Sequence, residues 1–303
     1  MDRLAIKLCG VDFKNPLIAA SGTFGYGLEY AEVCDLNAMG GISVKGLSLE
    51  PHQGNSMPRI RETAAGMLNS IGLQNIGVRA FIKDKLPRLH EYNTRIIVNF
   101  WGKTEEEYCK VAQILDDVDV DMLEMNISCP NVKEGGQSFS ATPDSAANVT
   151  SAVRKVVKNK PLIVKLSPNV SDITLYANAV ERAGADALSA INTLIGMAIN
   201  VKTRKPYLAN GIGGLSGAAI KPIAVHIVHK IYKSVKIPII GVGGIMTGED
   251  AAEFFLAGAS AVQVGTANFA EHEAIPRIAS ELNKYCADNS VNNVSELTGG
   301  LLI

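Results

Sequence analysis

The sequence predicts a (β/α)8 TIM barrel with an N-terminal β-hairpin and with insertions that cover the C-terminal face of the barrel. Three observations favour this α/β fold. The chain has 303 residues, a length that one such barrel commonly reaches. Eight short apolar or β-branched runs alternate with helix-length segments, which is typical of a parallel sheet. Two further segments are too long for ordinary loops. We expect a single domain over 1–303, with a doubly wound open sheet as the structural alternative.

The predicted strands can be placed in order along the chain. The segment LAIKLCGVDFK (4–14) predicts a hairpin that plugs the bottom of the barrel. The eight barrel strands are predicted at 17–20, 41–44, 95–100, 121–127, 161–166, 186–191, 237–242 and 261–265.

Helix-start signals stand between most of these strands. Thr104 and Thr247 each precede an amphipathic segment and are candidate N-caps, and Pro143 suits a first helical turn. The Ala-Gly-Ala triplets at 183–185 and 257–259 predict two helix ends just before the next strand.

Two segments, 46–78 and 192–216, are rich in Gly, Pro and Asn and fit no β/α unit. Long insertions at one end of a barrel usually cover an active site. We therefore expect both segments to lie over the functional end.

Composition excludes several functions. Hydrophobic residues make up 47% of the chain and the net charge is -1, so a large core is expected and a nucleic-acid partner is not. No stretch approaches the roughly 20 apolar residues of a membrane span, so no membrane partner is expected. The sequence predicts a soluble, cytoplasmic protein. Five scattered cysteines without a C-x-x-C pair indicate reduced thiols and no metal site.

The residues that close each predicted strand are the most informative, because barrel enzymes carry their function at the C-terminal strand ends. In order they are Ser21, Lys45, Asn99, Asn126, Lys165, Asn192, Gly243 with Gly244, and Gly265 with Thr266. A lysine ending an apolar strand needs a partner, since an unpaired buried charge is costly. These strand ends hold few carboxylates, so we expect the partner of Lys165 to be a ligand rather than a salt-bridge residue.

The last two strand ends indicate a phosphate site. Glycines at 243, 244 and 265 expose backbone N–H groups beside a helix start, and the cluster 211–217 could add further contacts. A loop built only for turning is the alternative. No G-x-G-x-x-G fingerprint follows a strand, so a mononucleotide fits better than NAD.

A flat cofactor with a phosphate tail suits this set of residues. Flavin mononucleotide has that shape, and Lys165 near its N1–C2=O edge would stabilise negative charge. A Schiff-base enzyme would also use a lysine at a barrel strand end, and Lys165 could serve it.

Eight motifs give the sequence a specific resemblance over nearly its whole length. They are ASGTFGYG (20–27), SVKG (43–46), GMLNSIGLQN (66–75), NISCPNV (126–132), VKLSPN (164–169), INT (191–193), GVGGI (241–245) and VGTA (264–267). Together they resemble the dihydroorotate dehydrogenase family, and within it the NAD-dependent class 1B catalytic subunit. The membrane-bound class carries serine where this chain has Cys129.

The resemblance implies two sets of binding residues. FMN would be held by Ala20, Ser21, Lys45, Gly46, Asn99, Asn126, Lys165, Ile191, Gly217, Gly243, Gly244, Gly265 and Thr266. Dihydroorotate would be held by Lys45, Asn69, Ser70, Ile71, Gly72, Leu73, Asn126, Asn131, Asn192 and Thr193.

The resemblance also assigns the chemistry. Cys129 would take the proton from C5 of dihydroorotate, while the C6 hydride goes to FMN N5, with Lys45 and Lys165 assisting. The loop from Cys129 to Ser140 would close over the substrate, with Gly135 and Gly136 as hinges. A cysteine base predicts activity that rises toward alkaline pH. The other four cysteines are interpreted as structural thiols.

The reduced flavin must pass on its electrons. For class 1B, the resemblance implies a partner subunit with FAD and a [2Fe–2S] cluster that delivers them to NAD+, in a complex of two catalytic and two partner chains. A class 1A-like homodimer that uses fumarate is the nearest alternative. A flavin-binding scaffold without catalytic activity is another.

Overall fold

The computed structural model describes residues 3–127 and 139–302. The strands in these ranges are β1 Ile6–Leu8, β2 Val11–Phe13, β3 Leu17–Ala19, β4 Gly41–Leu47, β5 Ile60–Thr63, β6 Gly66–Asn69, β7 Arg95–Phe100, β8 Met122–Asn126, β9 Leu162–Lys165, β10 Ala187–Ala190, β11 Leu194–Gly196, β12 Ile199–Asn200, β13 Lys205–Pro206, β14 Gly213–Ser216, β15 Ile239–Val242 and β16 Ala261–Val264.

Eight of these strands form a closed parallel barrel, in the order β3, β4, β7, β8, β9, β10, β15 and β16, with β16 pairing back to β3. The predicted (β/α)8 fold is confirmed. Each barrel strand overlaps one predicted run, because strands buried on both faces read as nearly continuous apolar segments.

Helices connect the strands and cover the outside of the barrel. Their bounds are α1 Val78–Ala80, α2 Leu86–Leu89, α3 Glu105–Asp116, α4 Pro143–Val156, α5 Ile173–Arg182, α6 Lys221–Tyr232, α7 Gly248–Ala257, α8 Ala267–Ala270 and α9 Ala274–Asp288. A π-helical segment, Phe81–Lys85, joins α1 to α2. Short 3-10 turns occupy Leu28–Tyr30, Leu36–Ala38, Ala218–Ile220 and Val294–Leu297.

The predicted helix caps are present. The Thr104 hydroxyl accepts from the Glu107 N–H at 3.1 Å, and the Thr247 hydroxyl accepts from the Asp250 N–H at 3.1 Å. Pro143 is the first residue of α4. Each cap satisfies a backbone donor that has no partner within its helix, which fixes where the helix begins.

The hairpin β1–β2 lies at the N-terminal end of the barrel. Its turn residues Cys9 and Gly10 have φ of 49° and 85°, as a two-residue primed turn requires. The Cys9 thiol donates to the Asp186 carbonyl at 3.3 Å, just before β10 begins. Burial, with the nearby Asp186 charge, raises the pKa of Cys9 to about 12.

The two long insertions pair with each other in a second sheet. Strands β5 and β6 come from the first insertion, and β11 and β14 from the second; their antiparallel order is β11, β14, β6, β5. Leu68 pairs with Leu215 where the two insertions meet. We call these four strands the cover sheet, since side chains from each of them line the cavity described below.

Across the two described ranges, no helix combines the length and apolar character that crossing a bilayer would require.

Candidate active site

A cavity of about 1160 Å³ lies at the C-terminal end of the barrel, between the strand ends and the cover sheet. Its walls include both predicted lysines, Lys45 and Lys165, together with glycines from the ends of β15 and β16. Ligand pockets in proteins typically measure about 300–1,000 Å³, so this cavity can hold a mononucleotide together with a small substrate.

Most of the residues proposed from the sequence line this one cavity. They are Ala20, Ser21, Lys45, Gly46, Asn69, Ser70, Ile71, Gly72, Leu73, Asn99, Asn126, Lys165, Ile191, Asn192, Thr193, Gly217, Gly243, Gly244, Gly265 and Thr266. Cys129 and Asn131, as well as the proposed hinges Gly135 and Gly136, lie outside the described residues.

The expectation that Lys165 lacks a carboxylate partner in the protein is wrong. Its Nζ lies 3.7 Å from Oε1 of Glu124, which is fully buried on the neighbouring strand β8. The Lys165 side chain is itself only 6% exposed. Glu124 lies within β8, two residues before its end, so the strand-end rule does not point to it.

Three further side chains hold the Glu124 carboxylate. Oε1 accepts from Ser43 Oγ at 3.1 Å and from Asn99 Nδ2 at 2.6 Å, while Oε2 accepts from Gln263 Nε2 at 2.6 Å. Burial alone would raise the pKa of Glu124, but the charge of Lys165 and the hydrogen bonds from Gln263 and Asn99 outweigh it and lower the pKa. The carboxylate is therefore charged at neutral pH.

The alternation of side chains along a strand could have revealed this layer. Ser43, Glu124 and Gln263 each stand two residues before a proposed site residue, namely Lys45, Asn126 and Gly265. Residues i and i+2 point to the same face of a strand. Polar residues at these places in apolar strands are therefore a sequence signal for a polar layer beneath the site.

The positions of the glycines at the proposed phosphate end require glycine for different reasons. Gly244 has φ +77°, and a Cβ there would lie 2.8 Å from both the Gly217 carbonyl oxygen and the Lys221 nitrogen. Gly217 and Gly243 also have positive φ, +98° and +133°. Backbone geometry thus excludes a side chain at these three positions.

Gly265 is a glycine for another reason. A Cβ built there would meet no atom closer than 3.6 Å, and its backbone is not left-handed. The protein itself would accept a side chain, which would project into the cavity. Its absence leaves space that suits a closely approaching ligand.

The hydroxyl of Thr266 donates to Ser216 Oγ at 2.8 Å, across from β16 to the cover sheet. Ser216 lines the cavity and precedes Gly217, yet the sequence interpretation did not single it out. The two hydroxyls and the glycine backbone form a polar end suited to a phosphate.

Asparagines outside the proposed binding set hold the segment 69–73. Asn55 donates from Nδ2 to the Ser70 carbonyl at 3.1 Å and to the Ser70 hydroxyl at 3.0 Å, while its backbone N–H donates to the Ile71 carbonyl at 3.0 Å. Asn75 donates to the Leu73 carbonyl at 2.9 Å. Leu73 has φ 60°, a conformation that side chains rarely adopt and that surrounding contacts must maintain.

Asn169 fixes the link between β10 and the cover sheet in the same way. Its Nδ2 donates to the Thr193 carbonyl at 2.9 Å, and its Oδ1 accepts from the Ile195 N–H at 3.0 Å. At the end of β8, the Tyr108 hydroxyl donates to the Asn126 carbonyl at 2.7 Å. These contacts position the proposed residues Thr193 and Asn126.

Burial disfavours the thiolate form of the four described cysteines. Burial is the first cause that raises the pKa of Cys9, Cys34, Cys109 and Cys286. A thiol with a raised pKa carries little thiolate at neutral pH and is a poor base or nucleophile.

The family model for dihydroorotate dehydrogenase matches residues 3–286. The chain belongs to the dihydroorotate dehydrogenase family. The resemblance drawn from the eight sequence motifs is thereby confirmed, and the match spans the barrel, the cover sheet and the cavity described above.

Curated relatives in this family align over almost the full length of both chains. Proteins named dihydroorotate dehydrogenase B (NAD(+)), catalytic subunit, are 54% identical in Alkaliphilus metalliredigens over 98% of each chain and 54% identical in Geobacter metallireducens over 99% of this chain and 98% of the relative. The relative from Geobacter sulfurreducens, with the same name, is 55% identical over 98% of each chain.

Proposed function

We propose that the chain, acting as one domain over 1–303, oxidises (S)-dihydroorotate to orotate in pyrimidine biosynthesis as an FMN-dependent catalytic subunit. The observation that carries the proposal is the convergence of Lys45, Lys165 and several asparagines beside a glycine-lined end in one cavity. Family membership and the printed names of the relatives support it.

The residues around the cavity fit FMN. Gly217, Gly243, Gly244, Gly265 and Thr266 would hold the phosphate, and the ring would meet Ala20, Ser21, Lys45, Gly46, Asn99, Asn126, Lys165 and Ile191. The flavin supplies the two-electron acceptor chemistry that amino-acid side chains lack. The open space at Gly265 supports this assignment.

Dihydroorotate is a cyclic diamide that carries a carboxylate. Asparagine amides can pair with its N–H and C=O edges, and a lysine can balance its charge. We assign these roles to Lys45, to Asn69 with the segment through Leu73, and to Asn126, Asn131, Asn192 and Thr193. The hydrogen bonds from Asn55 and Asn75 would keep the segment 69–73 in place.

We assign Cys129 as the base that takes the C5 proton. Asn126 and Ser140, which precede and follow Cys129 in the sequence, both line the cavity, which supports this assignment. A general base contributes about 10²–10⁴-fold to a rate. We expect Cys129→Ser to slow flavin reduction by dihydroorotate by about 10²-fold or more, and Cys109→Ser, the matched control, to leave it unchanged.

An absorption spectrum of the purified chain, taken before and after anaerobic addition of dihydroorotate, tests the function. Bound flavin whose visible band bleaches supports both cofactor and substrate. A colourless protein, or a yellow one that stays yellow, would contradict the proposal. Bleaching rates that rise toward alkaline pH in the wild type, but not in Cys129→Ser, would support the thiol as base.

We also propose a partner subunit with FAD and a [2Fe–2S] cluster, in a complex of two catalytic and two partner chains that reduces NAD+. The relatives' names, which contain both "NAD(+)" and "catalytic subunit", support it. NAD+ reduction by the co-expressed complex, and its absence in the isolated chain, is expected. Rapid turnover of the isolated chain with fumarate would favour the homodimer instead.

A cytoplasmic location suits this function, because Cys129 must stay reduced and thiols are kept reduced there.

The Schiff-base alternative is less well supported. Nucleophilic lysines are typically activated by an apolar pocket or a neighbouring cation, whereas Lys165 faces the carboxylate of Glu124. Borohydride trapping of a substrate on Lys165 would reverse this preference.

A further inference from the structure

Glu124 joins four barrel strands beneath the cavity without lining the cavity itself. Its fully buried carboxylate contacts Ser43 on β4, Asn99 on β7, Lys165 on β9 and Gln263 on β16. Two of these partners, Asn99 and Lys165, line the cavity at the end where a flavin ring is proposed.

Glu124 determines which way the Asn99 amide faces. A carboxylate only accepts hydrogen bonds, so the Asn99 atom 2.6 Å from it is the NH₂ group. The amide oxygen Oδ1 then lies on the opposite side, where a Cβ built at Gly46 would approach it to 2.6 Å. Asn99 thus presents an acceptor toward Gly46 and the cavity.

Glu124 also restrains Lys165. At 3.7 Å, the contact between Nζ and Oε1 is an ion pair and is too long for a hydrogen bond. Attraction keeps the ammonium at the end of β9, while its N–H donors can point toward a ligand. The negative charge one layer below partly offsets the positive charge that a ligand in the cavity would meet.

A structural role alone gives no reason for a carboxylate here. Well-packed hydrophobic residues are often as stabilising as a buried ion pair, or more so. The buried Asp116, by contrast, accepts from the backbone N–H groups of Lys158, Asn159 and Lys160 at 2.7 to 3.0 Å and so fixes a loop. The partners of Glu124 are side chains, and two of them reach the cavity.

We propose that Glu124 is a positioning residue that aims the Asn99 carbonyl and the Lys165 ammonium at the flavin ring and lowers the electron affinity of the bound flavin. This inference rests on the proposed function, because it takes FMN as the ligand at this end of the cavity.

The test uses the full chain and FMN, without dihydroorotate. Glu124→Gln removes the charge at nearly constant shape and places an NH₂ group among the donors. We expect oxidised FMN to bind at least tenfold more weakly to the variant than to the wild type. We also expect the midpoint potential of bound FMN to rise, because the negative charge of Glu124 no longer offsets the positive charge of Lys165. A tenfold change in the ratio of the dissociation constants of the two redox forms corresponds to about 30 mV.

Asp116→Asn is the matched control. It also neutralises a buried carboxylate and should lower stability, yet it should leave FMN affinity and midpoint potential at the wild-type values. A folded Glu124→Gln chain whose FMN affinity and potential both equal those of the wild type would overturn the inference. So would an equal rise in potential in Asp116→Asn.

Glu124→Asp decides the matter if Glu124→Gln does not fold. The shorter side chain keeps the charge but withdraws it from Asn99, so we expect weaker FMN binding with a smaller change in potential than removal of the charge would cause. Unchanged affinity would contradict the positioning role.

The failure of this inference can be told apart from the failure of the proposed function. A wild-type chain that binds no FMN would overturn both. If dihydroorotate bleaches the flavin of the wild type, but the variant has the same FMN affinity and midpoint potential as the wild type, only this inference is overturned.

Discussion

Three carboxylates at the N-terminal end of the barrel differ from Glu124, which lies beneath the cavity. At the N-terminal end, Asp121 accepts from the Ile96 N–H and Asp186 from the Leu162 N–H, both at 2.7 Å, and Glu181 accepts from the Lys236 N–H at 2.7 Å. Asp121 and Asp186 also pair with the side chains of Arg95 and Arg154, whereas the hydrogen bonds that Glu124 accepts come from the side chains of Ser43, Asn99 and Gln263. A carboxylate that bonds to backbone fixes the path of the chain, whereas one that bonds to side chains fixes where functional groups point.

This difference agrees with the different roles of the two ends of the barrel. Barrel enzymes place their chemistry at the C-terminal strand ends, and the opposite end serves stability. Substitutions at the N-terminal end should therefore change the free energy of unfolding and leave ligand binding unaltered. Substitutions beneath the cavity should change both.

Lys165→Met should have the largest effect. It leaves the buried Glu124 charge without its ion-pair partner, which typically costs about 3–5 kcal/mol, and it removes a positive charge from the proposed flavin site. We expect urea denaturation to show that loss of stability, and stopped-flow spectroscopy to show flavin reduction slowed by about 10²-fold or more. Adding Glu124→Gln should restore part of the stability; if it restores none, the two groups are not coupled.

Asp116→Asn should lower the free energy of unfolding by about 2 kcal/mol, since hydrogen bonds to charged groups contribute about 1.5–3 kcal/mol. The carboxylate accepts from the Lys158 N–H with Oδ2 and from the Lys160 N–H with Oδ1, and the amide replaces one of these two oxygens with an NH₂ donor that would face an N–H group. Chemical denaturation measures the loss. A change in FMN affinity in this variant would contradict the proposal that substitutions at the N-terminal end of the barrel leave ligand binding unaltered.

Gly265→Val should weaken FMN binding about tenfold, or about 1.4 kcal/mol, with little change in the stability of the flavin-free chain. A Cβ at this position would meet no protein atom closer than 3.6 Å, and Gly265 lines the cavity, so we expect the added side chain to take space from the ligand. Fluorescence titration with FMN measures the affinity. Gly244→Ala is the contrasting variant, because its φ of +77° and contacts at 2.8 Å predict a loss of stability instead.

Thr104→Ala should have the smallest effect, a loss of about 1 kcal/mol in stability, because it removes the N-cap of α3. Thr104 follows β7 at the C-terminal end but does not line the cavity. Calorimetry should show a modestly lower unfolding temperature, and FMN affinity should not change. Thr104→Ser, which retains the capping hydroxyl, should unfold as the wild type does.

The sequence was sufficient to predict local features. Apolar runs identified the eight barrel strands, and Thr104, Pro143 and Thr247 marked helix starts, because each signal depends on neighbours in the chain. The strand-end rule then gathered Lys45, Asn99 and Lys165 at one end. That grouping needed only the fold and the chain order.

Other features depend on contacts between distant residues. Ser43 and Glu124 are 81 positions apart, and Glu124 and Gln263 are 139 apart, so no local pattern pairs them. The antiparallel pairing of the two insertions is equally non-local. The expectation for Lys165 was wrong for this reason, since its carboxylate partner belongs to another strand.

The sequence by itself determined the barrel, the positions of its strands and helix caps, and the family, because periodicity, capping and motifs are encoded in neighbouring residues. Only the tertiary structure decided that Glu124 lies beneath the cavity, that its charge is paired with Lys165, and that Asn99 turns its carbonyl away from it. Closing the barrel brings these side chains from separate strands into one buried layer, where each buried polar group requires a partner.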